Sequence, residues 1–157
     1  MKKLVGALVL LFASQVLANS HHGWAYRGFG KWQNQSGESG RYRVAVKGQY
    51  DNHSLNIMQR YAAGEHRWHF GYQVLKGNHG HFKIMKDNVQ IGRGHCSKSY
   101  HHHRGGKKCH YAYNYGGMKI KMKILVRGHR LYRAGTVKGH GKKITFKERL
   151  FKHRSHH

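Results

Sequence analysis

Acidic residues are the scarcest chemical class in this sequence. Its 157 residues include only five Asp and Glu against 30 Lys and Arg, a formal net charge of +25 with histidine neutral. A nucleophilic triad and a pair of glycosidase carboxylates both require positioned acids, and the chain has no G-x-S-x-G motif. The composition argues against these hydrolases and predicts a protein that is not an enzyme.

Proline is absent altogether, and no long Ser/Gly-rich linker interrupts the chain. A chain of this length with no such boundary is expected to fold around one core. We expect an N-terminal segment at residues 19–40, an antiparallel β domain at 41–151 and a basic, His-rich tail at 152–157.

Long apolar runs are also missing, except at the N-terminus. Lys2 and Lys3 precede the apolar run Leu4–Leu17, and Val16-Leu17-Ala18 supplies the small residues of a cleavage site. This order is typical of a secretory signal peptide, and the run is shorter than the roughly 20 residues of a spanning helix. The sequence predicts a signal peptide at residues 1–18, export to the periplasm or the medium, and no transmembrane segment in the mature chain.

Cysteine occurs only twice, as Cys96 and Cys109. In an exported protein such a pair is expected to form a disulfide, which for a loop of this length stabilises the fold by about 3 kcal/mol. Haem attachment is excluded, because Gly106-Lys107-Lys108 stands before Cys109 where a C-x-x-C-H motif would need a cysteine.

The mature chain is dominated by period-two alternation. The clearest case places Met118, Ile120, Met122 and Ile124 on one face and lysines on the other. Glycine-rich turns separate about eight or nine such segments, at spacings near ten residues. This pattern predicts an all-β, single-domain antiparallel barrel or sandwich. Helical turns are expected, if anywhere, at residues 21–29 and the last few residues.

A short motif favours the barrel. Gly30-Lys31-Trp32 resembles the G-x-W of the first strand of lipocalin-like barrels, in which Arg149 would cover the tryptophan. The resemblance spans three positions, implies a closed barrel and says nothing about a ligand.

The excess of cations predicts a binding surface. We expect the β-strand residues Lys119, Lys121, Lys123 and Arg127, continued by Arg130 and Arg133, to face solvent together. The loop between the cysteines adds four more cations: Lys98, Arg104, Lys107 and Lys108. Such a surface is typical of proteins that hold polyanions by counterion release. The sequence therefore predicts an exported, noncatalytic protein that contacts nucleic acid, acidic polysaccharide, lipopolysaccharide or an anionic envelope surface.

Histidine suggests a second function. The chain has 17 histidines, including the run His101, His102 and His103. Cleavage after Ala18 would make His21 the third residue of the mature chain. The free amine, two backbone amides and the His21 imidazole would then form a square-planar nitrogen set suited to Cu²⁺ or Ni²⁺. The run of three histidines could bind Zn²⁺, Cu²⁺ or Ni²⁺. Transition-metal binding is thus an alternative. A small secreted ribonuclease is a third, and a small apolar ligand inside the barrel is a fourth.

Overall fold

Ten antiparallel strands follow one another around a closed barrel. The computed structural model describes residues 23–51, 54–99 and 106–153. The strands are β1 (Trp24–Asn34), β2 (Ser39–Asp51), β3 (Ser54–Ala63), β4 (His66–Lys76), β5 (His81–Lys86), β6 (Val89–Ser99), β7 (Gly106–Tyr115), β8 (Met118–Arg127), β9 (Arg130–Gly139) and β10 (Lys142–Lys152).

Each strand pairs with its sequence neighbours, and β1 closes the barrel by pairing with β10. The turns after the odd-numbered strands meet at one end, which we call the hairpin end. Three of these turns have two residues with positive φ, the geometry that matches strand twist. They are Asp87-Asn88, Gly116-Gly117 and His140-Gly141.

The predicted all-β antiparallel barrel is confirmed, and closure of the sheet excludes the sandwich. The expected helical turn at 21–29 is wrong, because Trp24–Asn34 is a barrel strand. The sequence pattern concealed this strand because two of its inward positions, Gly28 and Gly30, lack side chains. The barrel therefore begins before residue 41, and at the other end it still includes Lys152.

Rings lying over glycines fill much of the barrel interior. Five aromatic side chains stand directly opposite a glycine of the neighbouring strand, at positions where an added Cβ would overlap the ring. An aromatic ring that covers a cross-strand glycine fills the space that a second side chain would occupy. The pairs are Trp24 with Gly48, Trp32 with Gly40, Tyr42 with Gly30, Phe82 with Gly94 and Phe146 with Gly135.

The G-x-W motif has a specific role in this packing. Trp32 lies on the inward face, where its ring covers Gly40. Arg149 projects outward instead, and its guanidinium lies over the ring of Tyr132 at 5.6 Å. The expectation that Arg149 covers Trp32 is therefore wrong, because strand alternation places the two side chains on opposite faces of the sheet.

The predicted disulfide is present. Cys96 and Cys109 are directly opposed on β6 and β7, with their Cα atoms 4.0 Å apart. Both lie on the inward side and are buried. The bond thus ties two neighbouring strands together next to the segment that connects them.

The predicted signal peptide, residues 1–18, lies outside the described residues. Among the residues that are described, no helix is long and apolar enough to cross a membrane.

Replacing Gly30 by Ala should lower the free energy of unfolding by about 1–3 kcal/mol, the usual cost of overpacking. The new Cβ would overlap the Tyr42 ring and displace it. Gly71→Ala is the matched control, because its Cβ meets only the flexible end of Met58, at 3.0 Å, and this side chain can move. Urea unfolding of both variants measures the difference, and equal costs would contradict the packing described here.

Candidate functional site

An ion pair lies inside the barrel. Arg133 on β9 and Glu148 on β10 are directly opposed, and Arg133 Nη2 contacts Glu148 Oε2. Both side chains are fully shielded from solvent. Alternation places them inward, since Arg133 follows Leu131 on its face and Glu148 lies between Phe146 and Leu150. A buried pair of this kind is sustained only when further hydrogen bonds satisfy its remaining polar atoms.

Tyr42 supplies one of these hydrogen bonds. Its hydroxyl donates to Glu148 Oε1 at 2.6 Å. The two residues lie on β2 and β10, with β1 between them, and the Tyr42 ring reaches across because Gly30 of β1 has no side chain. The first position of the G-x-W motif therefore permits the hydrogen bond to the buried carboxylate.

Tyr61 and Gln59 extend the cluster onto β3. The Tyr61 hydroxyl donates to Gln59 Oε1 at 3.0 Å and interacts with the Arg133 guanidinium. Gln59 is completely buried, and its Nε2 group has no hydrogen-bond partner among the described residues. Arg133 Nε likewise lacks one. The centre of the barrel thus holds more donors than the surrounding side chains accept.

Aromatic rings surround this polar centre. Tyr61 stacks on Trp68 with ring centroids 5.6 Å apart, and Trp68 is half-buried near the hairpin end. Phe70 follows Trp68 on the inward face of β4, and Tyr113 of β7 stacks between the rings of Phe70 and Tyr111, at 6.2 Å from each. The walls therefore present flat, apolar surfaces with a few polar edges.

Burial controls the protonation of the cluster. It raises the pKa of Tyr42, and the negative charge of Glu148 adds to the effect. Burial also raises the pKa values of Tyr61, Tyr111 and Tyr113. For Glu148, burial raises the pKa while Arg133 and the hydrogen bonds act against it. The tyrosines consequently remain protonated and serve as hydrogen-bond donors, not as bases.

The cations predicted as a surface site are partly divided by the fold. Lys119, Lys121, Lys123 and Arg127 all project outward from β8 and are exposed. Lys107 and Lys108 point to opposite sides of β7, with Lys108 outward. Arg133 was expected on the same outer surface, and this is wrong, because the alternation of β9 turns it into the barrel.

All four predicted metal ligands fall in parts of the chain that the structure does not describe. His21, His101, His102, His103 and also Arg104 lie outside the described residues. Within the described part of the chain, no group of three or more His, Cys, Asp or Glu is arranged to hold a metal ion.

Two described histidines do meet. The rings of His81 and His95 approach to 4.6 Å on the outer face, and His110 stands opposite His95. Partial burial and the charges of Lys108 and Lys123 lower the pKa of His110.

The central cluster was missed by sequence reasoning, although a signal for it existed. Arg133 and Glu148 both interrupt apolar stripes of consecutive strands. Two opposite charges equidistant from the His140-Gly141 turn indicate a facing pair inside the sheet. Gln59 likewise interrupts the apolar stripe of Leu55, Ile57 and Tyr61, but only the fold brings Tyr61 to Arg133 from across the barrel.

Comparisons with solved structures show similarity in fold. An S-type phycobiliprotein lyase, CPES from Guillardia theta, matches with a TM-score of 0.59 and 9% identity, over 84% of this chain and 88% of that one. Rv2717c from M. tuberculosis matches with a TM-score of 0.54 and 14% identity, over 93% of this chain and 100% of that one. No family model and no curated protein matches the sequence.

These similarities correct the function predicted from charge. The closed barrel shared with these proteins contradicts the prediction of a polyanion-binding protein, which is wrong. The absence of catalysis stays a prediction, since one of the two proteins is named as a lyase.

Replacing Glu148 by Gln should lower the free energy of unfolding by about 3–5 kcal/mol, because the Arg133 charge would remain buried without a counterion. The double variant Arg133→Met/Glu148→Gln should cost less than Glu148→Gln alone. Urea unfolding of the single and double variants forms a double-mutant cycle.

Asp87→Asn is the control, since the Lys86–Asp87 pair at 3.7 Å is largely exposed at Asp87 and should contribute less than about 1 kcal/mol. Strictly additive costs for Arg133→Met and Glu148→Gln would show that the two charges are not coupled.

Proposed function

We propose that this protein binds a small, mostly apolar ligand inside the barrel, with an acceptor group of the ligand on Arg133 and Gln59. The observation that carries the proposal is the surplus of buried donors at the barrel centre, where Gln59 Nε2 and Arg133 Nε have no described partner. Buried donors in native proteins are nearly always satisfied, so an acceptor at this position is expected.

The charge balance of the cluster limits the chemistry of the ligand. Glu148 already neutralises Arg133 at contact distance. A second anion would bring an uncompensated charge into a site of low dielectric constant, which is costly. An uncharged acceptor, such as a ketone, amide or lactam carbonyl, satisfies the donors without this cost.

The walls support a flat ligand body. The stacked pair of Tyr61 and Trp68 and the adjoining Phe70–Tyr113–Tyr111 stack offer ring faces that suit offset stacking with a planar conjugated system. Trp68 is half-buried at the hairpin end, and we propose this end as the route by which the ligand enters. Access along it requires the aromatic side chains to shift.

We infer that the role is binding without catalysis. The tyrosines at the centre are held protonated, and the Glu148 carboxylate is engaged by both Arg133 and Tyr42. None of these groups is placed to act as a free base toward a ligand held by Gln59 Nε2 and Arg133 Nε. The similarity to solved barrels supports a ligand-binding protein and is consistent with this inference.

The uncharged, planar dye Nile red, which carries a ring carbonyl, is a suitable probe. It should bind the mature protein with 1:1 stoichiometry and enhanced fluorescence. Gln59→Leu should weaken this binding by about tenfold, the value of one hydrogen bond at a buried site. Its free energy of unfolding should change by no more than about 1 kcal/mol, because removal of an unsatisfied donor offsets the lost bond from Tyr61.

Gln33→Leu is the matched control, since Gln33 lies on the exposed outward face of β1. Equal Nile red affinity of the two variants, or uptake of several dye molecules per chain, would reject an interior site.

A further inference from the structure

A concavity lies on the outside of the barrel, lined mainly by strands β1, β8, β9 and β10. Its volume is about 950 Å³. Small-molecule sites typically enclose 300–1,000 Å³, so the space suits one ligand of moderate size. Its central residues are Tyr132, Ala134 and Leu125, all of them half-buried, and the exposed ring of Phe29 stands at its edge.

Strand register arranges the lining in two adjacent rows. One row runs across the sheet through Phe29, Arg149, Tyr132 and Leu125; it is apolar except for Arg149, whose guanidinium lies over the Tyr132 ring and would have to move aside for a ligand. The parallel row two residues along each strand is Arg41, Lys31, Lys147, Ala134 and Lys123. Since residues i and i+2 are about 6–7 Å apart, an apolar strip and a cationic strip lie side by side.

Ala134 is the one small, uncharged residue in the cationic row. Lys147 and Lys123 pair with it from the two neighbouring strands. At about 4.8 Å per strand, these lysines stand about 10 Å apart on either side of a methyl group. An acidic group placed over Ala134 would be reached by both ammonium groups.

No acidic side chain of the described residues neutralises this surface. Eight cationic residues line the concavity; Arg133 is turned inward and paired with Glu148, and within the described residues none of the other seven forms an ion pair. The one acidic residue in its lining, Glu148, turns its carboxylate into the barrel toward Arg133. The other seven cations are Lys31, Arg41, Lys108, Lys123, Arg127, Lys147 and Arg149.

We propose that this concavity is a separate binding site for one small amphiphilic acid, with its carboxylate between Lys123 and Lys147 and its apolar body along Tyr132, Leu125 and Phe29. The apolar strip distinguishes this ligand from a polyanion, which would gain from the charges alone. The site is independent of the interior one, because the sheet of β1, β10, β9 and β8 separates them.

The probe for this site is 11-(dansylamino)undecanoic acid, compared with its methyl ester. The acid should bind with 1:1 stoichiometry, and the ester should bind at least about tenfold more weakly, because it lacks the charge-assisted hydrogen bonds to lysine. Equal binding of acid and ester would overturn the proposal.

Variants locate the site. Lys123→Gln/Lys147→Gln should weaken binding of the acid by about tenfold or more. Lys119→Gln/Lys143→Gln removes the same charge from β8 and β10 outside the concavity, and should change the affinity less than about twofold. Tyr132→Ser should also weaken binding of the acid, by about tenfold, through the loss of apolar contact. Similar losses in both double variants would show that the probe responds to net charge and would overturn the proposal.

Two further measurements separate this site from the alternatives. Gln59→Leu should leave binding of the acid unchanged, whereas the Lys123→Gln/Lys147→Gln variant should leave Nile red binding unchanged. A heparin oligosaccharide that displaces the acid at equal concentration of anionic groups would show that only charge is recognised, and would overturn the proposal. Unfolding midpoints of all variants verify that each is folded.

Discussion

The buried pair of Arg133 and Glu148 is the constraint around which the barrel interior is organised. Each charge would be costly alone in a medium of low dielectric constant, so each requires the other and a set of hydrogen bonds. Tyr42 provides one of these bonds, and the absence of a side chain at Gly30 lets its ring reach the carboxylate. A one-residue slip of β9 against β10 would turn one charge to the opposite face and leave the other unpaired. The ion pair therefore also specifies strand register.

The same pair balances the buried charge, so the interior and the outer surface are two different electrostatic environments. The described outer surface carries lysine and arginine on nearly every strand, whereas the buried charges among the described residues are one cation, Arg133, and one acid, Glu148. An uncharged acceptor suits the balanced interior, and an acidic group suits the outer concavity. The difference between the two environments explains how the proposed interior site of a strongly cationic chain need not select for anions.

Much of the fold could be predicted from the sequence, because the alternation of apolar and polar residues is a local property. The hairpins at Asp87-Asn88 and Gly116-Gly117 have turn chemistry that requires no knowledge of distant residues. Alternation did not reveal the strand Trp24–Asn34, because Gly28 and Gly30 interrupt its apolar stripe, and only the fold shows that the Tyr42 ring covers Gly30. Arg133 was assigned to the surface by its charge, although its position in the stripe of Leu131 and Val137 indicated the interior.

The sequence by itself determined the β class, the antiparallel order, the disulfide partners and the cationic outer face, because each depends on alternation, turn residues or the number of cysteines. Only the tertiary structure decided that the sheet closes, since closure depends on how β1 meets β10. It also decided which side chains meet at the centre, because Tyr42, Tyr61 and Arg133 come from strands that are far apart in the chain. The composition gives the number of charged residues but not whether each side chain points into the barrel or out of it. That orientation separates the proposed inner site from the proposed outer one.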